Sequence, residues 1–323
     1  MQNILNSNLK ELQQIDLSII IVSWNTKDLL VACLDSLSVQ KSIYNIEVIV
    51  VDNASTDGSV EIVNEFYRHV NLIKNNTNMG FGMANNIGIK HSSGRYICLI
   101  NSDVRVLPGC LDSLVNYMDQ DKSIGIIGPK TLSPDMSLQD TCRKLPNLWN
   151  NICEFLYLNR LFPKSNILSG EHMMFFDHMT IRGVQGLAGC FLMIRKDALK
   201  QIGLFDERFF IYFEETDLCK RFLDKHYKIL FFPHATIIHH HGASSSKDPL
   251  RFSAEQIKSR IKYWKKHHSI FAVTFLLFIL LMHYSLRLIG LCILYFLAPS
   301  MRSQTVQQLS QTNKYLKYIL IQK

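Results

Sequence analysis

Short apolar runs and amphipathic stretches alternate over the first hundred residues. Leu17-Ser-Ile-Ile-Ile-Val-Ser23 is almost wholly β-branched, the pattern of a strand covered on both faces. Leu29, Leu30, Cys33, Leu34 and Leu37 then recur at helical spacing, with Asn25 or Thr26 placed to cap the helix. A second strand, Ile46–Val51, runs into the turn-rich loop Asp52-Asn-Ala-Ser-Thr-Asp-Gly58. The pattern next predicts a helix through Val60, Ile62, Val63 and Phe66, a short strand over 70–73, a helix over 80–91 and a strand over 96–100. Strands and helices alternating at this spacing imply βαβ crossovers and a Rossmann-like, doubly wound α/β sheet. Ligands of such sheets bind beyond the carboxyl ends of the strands. The positions to examine are therefore Ser23 to Asn25, Asp52 to Asp57, and Asn101 to Asp103.

The second half is less regular. A strand over 124–127 should end at Gly128-Pro129, and residues 131–180 read as loops with one short helix near 148–160. A strand over 187–194, a helix over 196–202, a helix over 216–226 and two strands, 229–232 and 236–239, complete the body. Ser269 to Met282 is free of formal charge. His283, Tyr284, Ser285 and Arg287 interrupt before apolar residues resume to Ala298. A spanning helix needs about 20 apolar residues, which neither half supplies alone. Lys262, Lys265 and Lys266 precede this stretch, and Arg302, Lys314 and Lys317 follow it. That bias favours an interfacial or re-entrant element with both ends cytoplasmic over a single span. A soluble, oligomer-forming hairpin ranks below both. The expected domains are an N-terminal extension (1–15), a catalytic domain (16–250, with halves 16–128 and 129–250) and a basic, apolar, membrane-associated tail (251–323).

A chain that is 47% hydrophobic and 19% charged is not disordered. The net charge of +8 is unevenly held: residues 251–323 carry 11 Lys and Arg and one acid, whereas the first 250 carry 24 basic and 26 acidic residues. A near-neutral body with a basic tail argues against nucleic acid and for an anionic membrane surface. The eight Cys form no Cys-x-x-Cys pair, which suits buried thiols in a reducing compartment. The polar N-terminus lacks a signal-peptide core.

Among the chemical candidates, Asp103 follows a buried strand, where a carboxylate can hold a divalent cation against a diphosphate. Asp52 has the same placement and suits a nucleobase, a ribose or an Asx turn, while Asp57 suits a helix cap. Gly80-Phe-Gly82-Met-Ala-Asn85-Asn86 lacks the full dinucleotide fingerprint and does not follow the first strand, which argues against a dinucleotide enzyme. Glu214, Glu215 and Asp217 open a helix after the aromatic run Phe209–Phe213. Asp217 suits an i,i+4 pair with Arg221, and a Glu in an apolar frame suits a general base. His239, His240 and His241 end a strand and offer metal-ligating imidazoles.

Taken in order, Ser18–Asn25, Val51–Ser59, Asn78–Gly88, Leu99–Val104, Phe205–Cys219 and His239–Gly242 resemble the motifs of family 2 glycosyltransferases of the GT-A fold, in the branch with many bacterial rhamnosyltransferases. The resemblance runs over roughly residues 16 to 265. It implies a mixed GT-A sheet and an inverting transfer of a sugar, rhamnose among those the branch uses. The donor would be a nucleotide-diphosphate sugar and the acceptor a lipid-linked saccharide, in surface polysaccharide assembly at the cytoplasmic face of the bacterial inner membrane. It assigns Ser23, Trp24, Asn25, Asp52, Asn78, Gly82, Asn85 and Asn86 to the donor nucleoside. Asp103 and His239 would hold Mg or Mn, and Glu215, with Glu214 as alternative, would be the base. Arg143 (in Gln139-x-x-x-Arg143), Gln185, Gly189 and Asp217 would line the acceptor or sugar pocket. Asn101, Glu215 and Gln185 each stand where relatives often carry Asp. Those departures support the alternative of a catalytically weak or inactive sugar-nucleotide-binding scaffold.

Overall fold

The computed structural model describes residues 14–240, 242 and 249–321. The expected extension 1–15 lies almost wholly outside these, as does His241. The strands are β1 (Leu17–Ser23), β2 (Ile46–Asp52), β3 (Asn71–Lys74), β4 (Tyr96–Asn101), β5 (Val104–Val106), β6 (Ile124–Leu132), β7 (Cys142–Arg143), β8 (Arg182–Gly183), β9 (Gly186–Leu187), β10 (Phe191–Arg195) and β11 (Lys228–His239). The main sheet runs β3-β2-β1-β4-β10-β6-β11-β5, with β8 paired to β11, and β7 and β9 form a separate ribbon. Strands β3, β2, β1 and β4 are parallel, and β10 is antiparallel to both β4 and β6, so the sheet is mixed. Ile19, Ile20 and Ile21 have 1% exposure or less, so both faces of β1 are covered, as its β-branched run requires.

Four expectations are corrected. β6 does not stop at Gly128-Pro129 but continues to Leu132 beside β11. Its pairing with β10 ends at Ile127, so a residue without an N–H is tolerated two positions later. The expected strand 187–194 is broken into β9 and β10, because Ala188 turns to donate its N–H to Thr141 O. The two strands 229–232 and 236–239 are one, β11, with a register shift between Phe232 and Thr236. β5 was not foreseen. It pairs antiparallel with the end of β11, setting Val104 opposite His239.

The described chain divides into two compact units. The first holds the sheet and comprises the described residues up to Leu145 and from Phe176 to 242. The second joins Pro146–Phe175 to the tail, so this insertion leaves the expected 16–250 domain. Within the second unit, Arg260 of helix Pro249–His267 donates to Asn151 Oδ1 (3.0 Å) and pairs with Glu154 (3.1 Å), both on helix Leu148–Phe155. Trp264 and Tyr263 are fully buried there. All eight cysteines are free and seven are buried.

Candidate functional site

The carboxyl ends of β1 and β2 lie in register, Ser23 opposite Asp52. Asp52 is 2% exposed. Its Oδ2 accepts from the Ser55 amide (2.9 Å), closing an Asx turn, while the buried Oδ1 has no partner. Asn25 sits at φ 54° and ties the two loops together: its amide donates to Ser55 Oγ (2.9 Å) and its Oδ1 accepts from the Thr56 amide (2.7 Å). Trp24 beside it is half-buried. Ser23 is wholly buried, in a hydroxyl chain through Thr26 to Ser102 (3.2 and 2.7 Å), so it links β1 to the end of β4. Asp57 is the expected cap. It accepts from the Lys27 amide (2.8 Å) at the start of helix Lys27–Ser38 and from Ser59, and these bonds outweigh burial to hold its carboxyl below the usual range.

Asn53, which sequence reasoning missed, organises the next loop. Its Nδ2 donates to Asn78 Oδ1 (3.2 Å) and Gly80 O (3.1 Å), and its Oδ1 accepts from Asn75 Nδ2 (3.0 Å) and the Met79 amide (3.2 Å). The signal available was only an Asn after a strand-end Asp, which turns alone explain. Gly80 (φ 84°) then lets helix Phe81–His91 begin against the aromatic run, with the Phe81 amide donating to Phe210 O (2.7 Å). A Cβ at Gly80 would lie 2.2 Å from that carbonyl oxygen. Gly80→Ala is therefore expected to cost about 3 kcal/mol in urea unfolding. A loss under 1 kcal/mol would show that the loop relaxes.

Three residues expected at the nucleoside are instead packing residues. Asn86 is 1% exposed and fully used: its amide donates to Phe205 O (2.9 Å) and Glu207 Oε1 (3.1 Å), and its Oδ1 accepts from the Phe205 amide (3.0 Å). Asn85, equally buried, donates to Phe81 O (3.0 Å) on its own helix. Gly82 allows the helix to approach Phe205 and Glu214, whose Cβ atoms would stand 3.3 and 3.5 Å from an added Cβ. Helical spacing turns this face inward, leaving Asn78 in the loop as the member of the set beside Asp52 and Asn53.

At the end of β4 the chain turns through Ser102-Asp103 into β5, and the pairing of β5 with β11 delivers His239. Asp103 Oδ1 lies 3.3 Å from His239 Nε2, both side chains less than a tenth exposed. Gln139 sets the ring. Its Nε2 donates to His239 O (2.7 Å) and Ser133 Oγ (3.1 Å), so its Oε1 must accept, and it does so from His239 Nδ1 (2.9 Å). In the neutral ring this network assigns the proton to Nδ1 and turns the Nε2 lone pair toward a carboxylate oxygen. Two acceptors at that distance are stabilised by a proton or a cation between them. The Oδ1 of Asn101, two residues before Asp103, is buried without a partner. A carboxylate, an imidazole nitrogen and a spare carbonyl oxygen fit a Mg or Mn ion, although the described residues hold no group of three His, Cys, Asp or Glu side chains around a metal position.

The corner continues toward the acids. Asn101 donates its amide to Cys190 O (3.0 Å), and next to Cys190 stands Gly189, where an added Cβ would be 3.6 Å from Glu215 Cγ. Helix Glu214–Asp224 begins two residues before the expected start, after Tyr212 and Phe213 in left-handed conformation, so both Glu occupy its first turn. Burial and repulsion from Glu215 push Glu214 well above the usual carboxylate range. Burial also raises Glu215, opposed by its own backbone N–H, Arg143 and the Thr216 amide. One buried oxygen of each has no partner. A carboxyl raised in the fold favours the folded state below the unfolded pKa, and that contribution is lost as pH rises through the folded value. Glu214→Gln is therefore expected to stabilise the protein by about 1 kcal/mol at pH 8 and by much less at pH 4 in paired melts. An equal gain at both pH values would refute the ionisation argument.

Of the expected acceptor residues, Arg143 and Gly189 converge on Glu215. Gln185 is exposed, and its Oε1 accepts from the Leu145 amide (2.9 Å). Asp217 is corrected: it is 0% exposed and paired with Arg221 (2.9 Å), which also donates to the carbonyls of Ile202, Gly203 and Leu204. This pair anchors the helix and presents no surface to a sugar.

Orphaned carboxylate oxygens and a metal-compatible pair thus stand at the carboxyl end of a mixed α/β sheet. Residues 18–203 match the model for "Glycosyl transferase family 2", and the chain belongs to that family and is a glycosyltransferase. Over 235 residues it is 28% identical to an N-acetylglucosaminyl-diphospho-decaprenol L-rhamnosyltransferase of Mycobacterium tuberculosis, covering 69% of this chain and 76% of the relative. Over 106 residues it is 33% identical to a UDP-Glc:alpha-D-GlcNAc-diphosphoundecaprenol beta-1,3-glucosyltransferase of Escherichia coli, covering 32% of this chain and 42% of that one. Its fold resembles GalNAc-T7 crystallised with UDP, GalNAc and Mn2+ (TM-score 0.57, 15% identity, 78% of this chain and 48% of that one). It also resembles a mannosyltransferase of Pyrobaculum calidifontis in complex with GDP-Man and Mn2+ (TM-score 0.53, 14% identity, 95% and 86%).

Proposed function

We propose that the protein is an inverting, divalent-metal-dependent glycosyltransferase. It moves a sugar, rhamnose in the first instance, from a nucleotide-diphosphate donor to a lipid-linked saccharide in surface polysaccharide synthesis. It works at the cytoplasmic face of a bacterial inner membrane, with its tail at the membrane surface. The observation that carries this reading is the Asp103–His239 pair that follows β4, one short segment from Glu215. The rhamnose and lipid-diphosphate assignments draw on the names of the two relatives.

Asp52 Oδ1, Asn25, Trp24 and Asn78 form the nucleoside side, and Asp103 with His239 would hold Mg or Mn. When bound, such an ion neutralises the charge that develops on the departing diphosphate. Glu215 takes the acceptor hydroxyl proton on its unpartnered oxygen, and Arg143 beside it keeps the carboxyl from rising so far that it cannot ionise. Burial pushes the nearby Cys190 and Cys219 thiols up to about 12, so neither supplies a thiolate nucleophile. That supports one direct displacement, which inverts the anomeric centre.

The test is transfer from a panel of nucleotide sugars, including nucleotide-diphosphate rhamnose, to an N-acetylglucosaminyl-diphospholipid with Mg or Mn. Product anomeric configuration is read by NMR. Metal-supported transfer with inversion is expected. No transfer from any donor, with nucleotide binding intact, would leave the scaffold alternative.

A further inference from the structure

Helix Ile270–Leu297 carries two apolar faces. Val273, Leu276, Ile279, Leu280 and Leu291 are buried within the second unit. The other face leaves Phe271, Phe275, Phe278, Met282, Ile289 and Phe296 exposed, Phe271 at 84% and Phe296 at 72%. These positions recur at steps of three, four or seven residues, so they form one stripe along ~38 Å of helix at 1.5 Å per residue. A stripe of that length and bulk marks an interaction surface. Its length and mean hydropathy of 2.1 would also suit a membrane span.

The partner helix decides against a span. Arg302–Ile321 folds back along the apolar helix after a single turn of 3-10 helix, and the Tyr284 and Tyr315 rings meet at 5.3 Å. Those tyrosines stand thirteen residues either side of the hairpin ends, so the pair is antiparallel and in contact to its midpoint. The exposed side of the partner helix is mostly polar, with Arg302, Gln304, Gln307, Asn313, Lys314 and Lys317, although Val306 and, at its end, Leu320 and Ile321 are exposed too. A spanning apolar helix would drag the polar groups into hydrocarbon, where nothing hydrates them. The insertion adds exposed apolar residues of its own and meets the helix at His283, three residues along from the buried Leu280. The Tyr157 ring lies 6.0 Å from His283, at the helix midpoint, and beyond it Leu161 and Ile167 are each 68% exposed and Phe162 50%.

Charge names the occupant. From residue 251 onward the chain holds 11 Lys and Arg and one acid, Glu255, which is itself paired with Lys258 (2.6 Å). We infer that the second unit is a monotopic membrane dock: helix Ile270–Leu297 lies in the plane of an anionic phospholipid surface, both ends on one side, with the 156–167 loop inserted beside it. This deepens, and rests on, the membrane-surface part of the reading above.

The test uses the full chain. Flotation with vesicles of phosphatidylcholine alone or mixed with phosphatidylglycerol should show at least tenfold tighter binding to the anionic vesicles, weakening with salt. Phe271→Asp/Phe275→Asp and Leu161→Asp/Phe162→Asp should each weaken binding tenfold or more. Retained circular dichroism and transfer to a water-soluble acceptor confirm that the variants fold. In a Cys292→Ser background, Ser269→Cys and Ser300→Cys should both react with an impermeant maleimide in inverted membrane vesicles and neither in intact spheroplasts. Labelling of the two from opposite sides would establish a span and overturn the dock while leaving membrane residence intact. Undiminished binding of the Leu161/Phe162 variant would remove the loop from it. No binding to either vesicle would sink the membrane-surface reading itself.

Discussion

Asp103→Asn is expected to lower kcat by about 10³-fold or more, with the donor nucleotide still bound in the absence of metal. The carboxylate sits 3.3 Å from an imidazole nitrogen whose lone pair Gln139 turns toward it. An amide at that position removes the negative charge that makes the corner attractive to a cation, yet it keeps the shape and leaves the nucleoside side untouched. Two measurements check this: a Mn titration of turnover, and a calorimetric titration with nucleoside diphosphate in chelator. The variant should need far more Mn, or gain nothing from it, while nucleotide binding without metal changes less than threefold. Turnover within tenfold of the parent at ordinary metal concentration would remove Asp103 from the reaction.

The second large effect belongs to Glu215. Glu215→Gln should reduce transfer by 10²–10⁴-fold, the range for loss of a positioned general base, and leave donor affinity unchanged. Because burial raises this carboxyl and the base must be ionised to act, the parent's kcat/KM should rise with pH through a value above the ordinary Glu range. That acid limb should vanish in the variant. Glu214→Gln supplies the contrast. Glu214 is 3% exposed and its Cβ and Cγ pack against Gly82, so its substitution should change stability and leave the Glu215 limb in place. If the Glu214 variant loses transfer and the Glu215 variant keeps it, the base assignment is reversed.

Much of the site was legible in the chain because its members stand directly after buried strands. Asp52 and Asp103 follow β-branched or apolar runs, and a carboxylate there has few structural uses beyond a turn. The helix residues were harder. Asn85 and Asn86 look like ligand groups in a list of letters. They prove to be staples because the angular position of that helix about its own axis depends on what it packs against, and the loop it packs against lies some 120 residues later. Asp217 had two readings, and burial with Arg221 selects the structural one. Gln139 was visible only as the start of the Gln139-x-x-x-Arg143 motif and Asn53 only by its place after a strand-end Asp, since a single amide side chain acquires a role only from the partners a fold brings to it.

The order of strands and helices in the first hundred residues, the buried run of β1, the carboxylates at the strand ends and the basic, apolar tail all follow from residue type and spacing, which are local properties. Tertiary structure alone decided three things: that β5 crosses to the end of β11 and so sets His239 beside Asp103, that residues 146–175 group with the tail, and that a mostly polar helix folds back along the apolar one. Each depends on contacts between segments far apart in the chain, and no pattern within either segment encodes which distant surface will cover it.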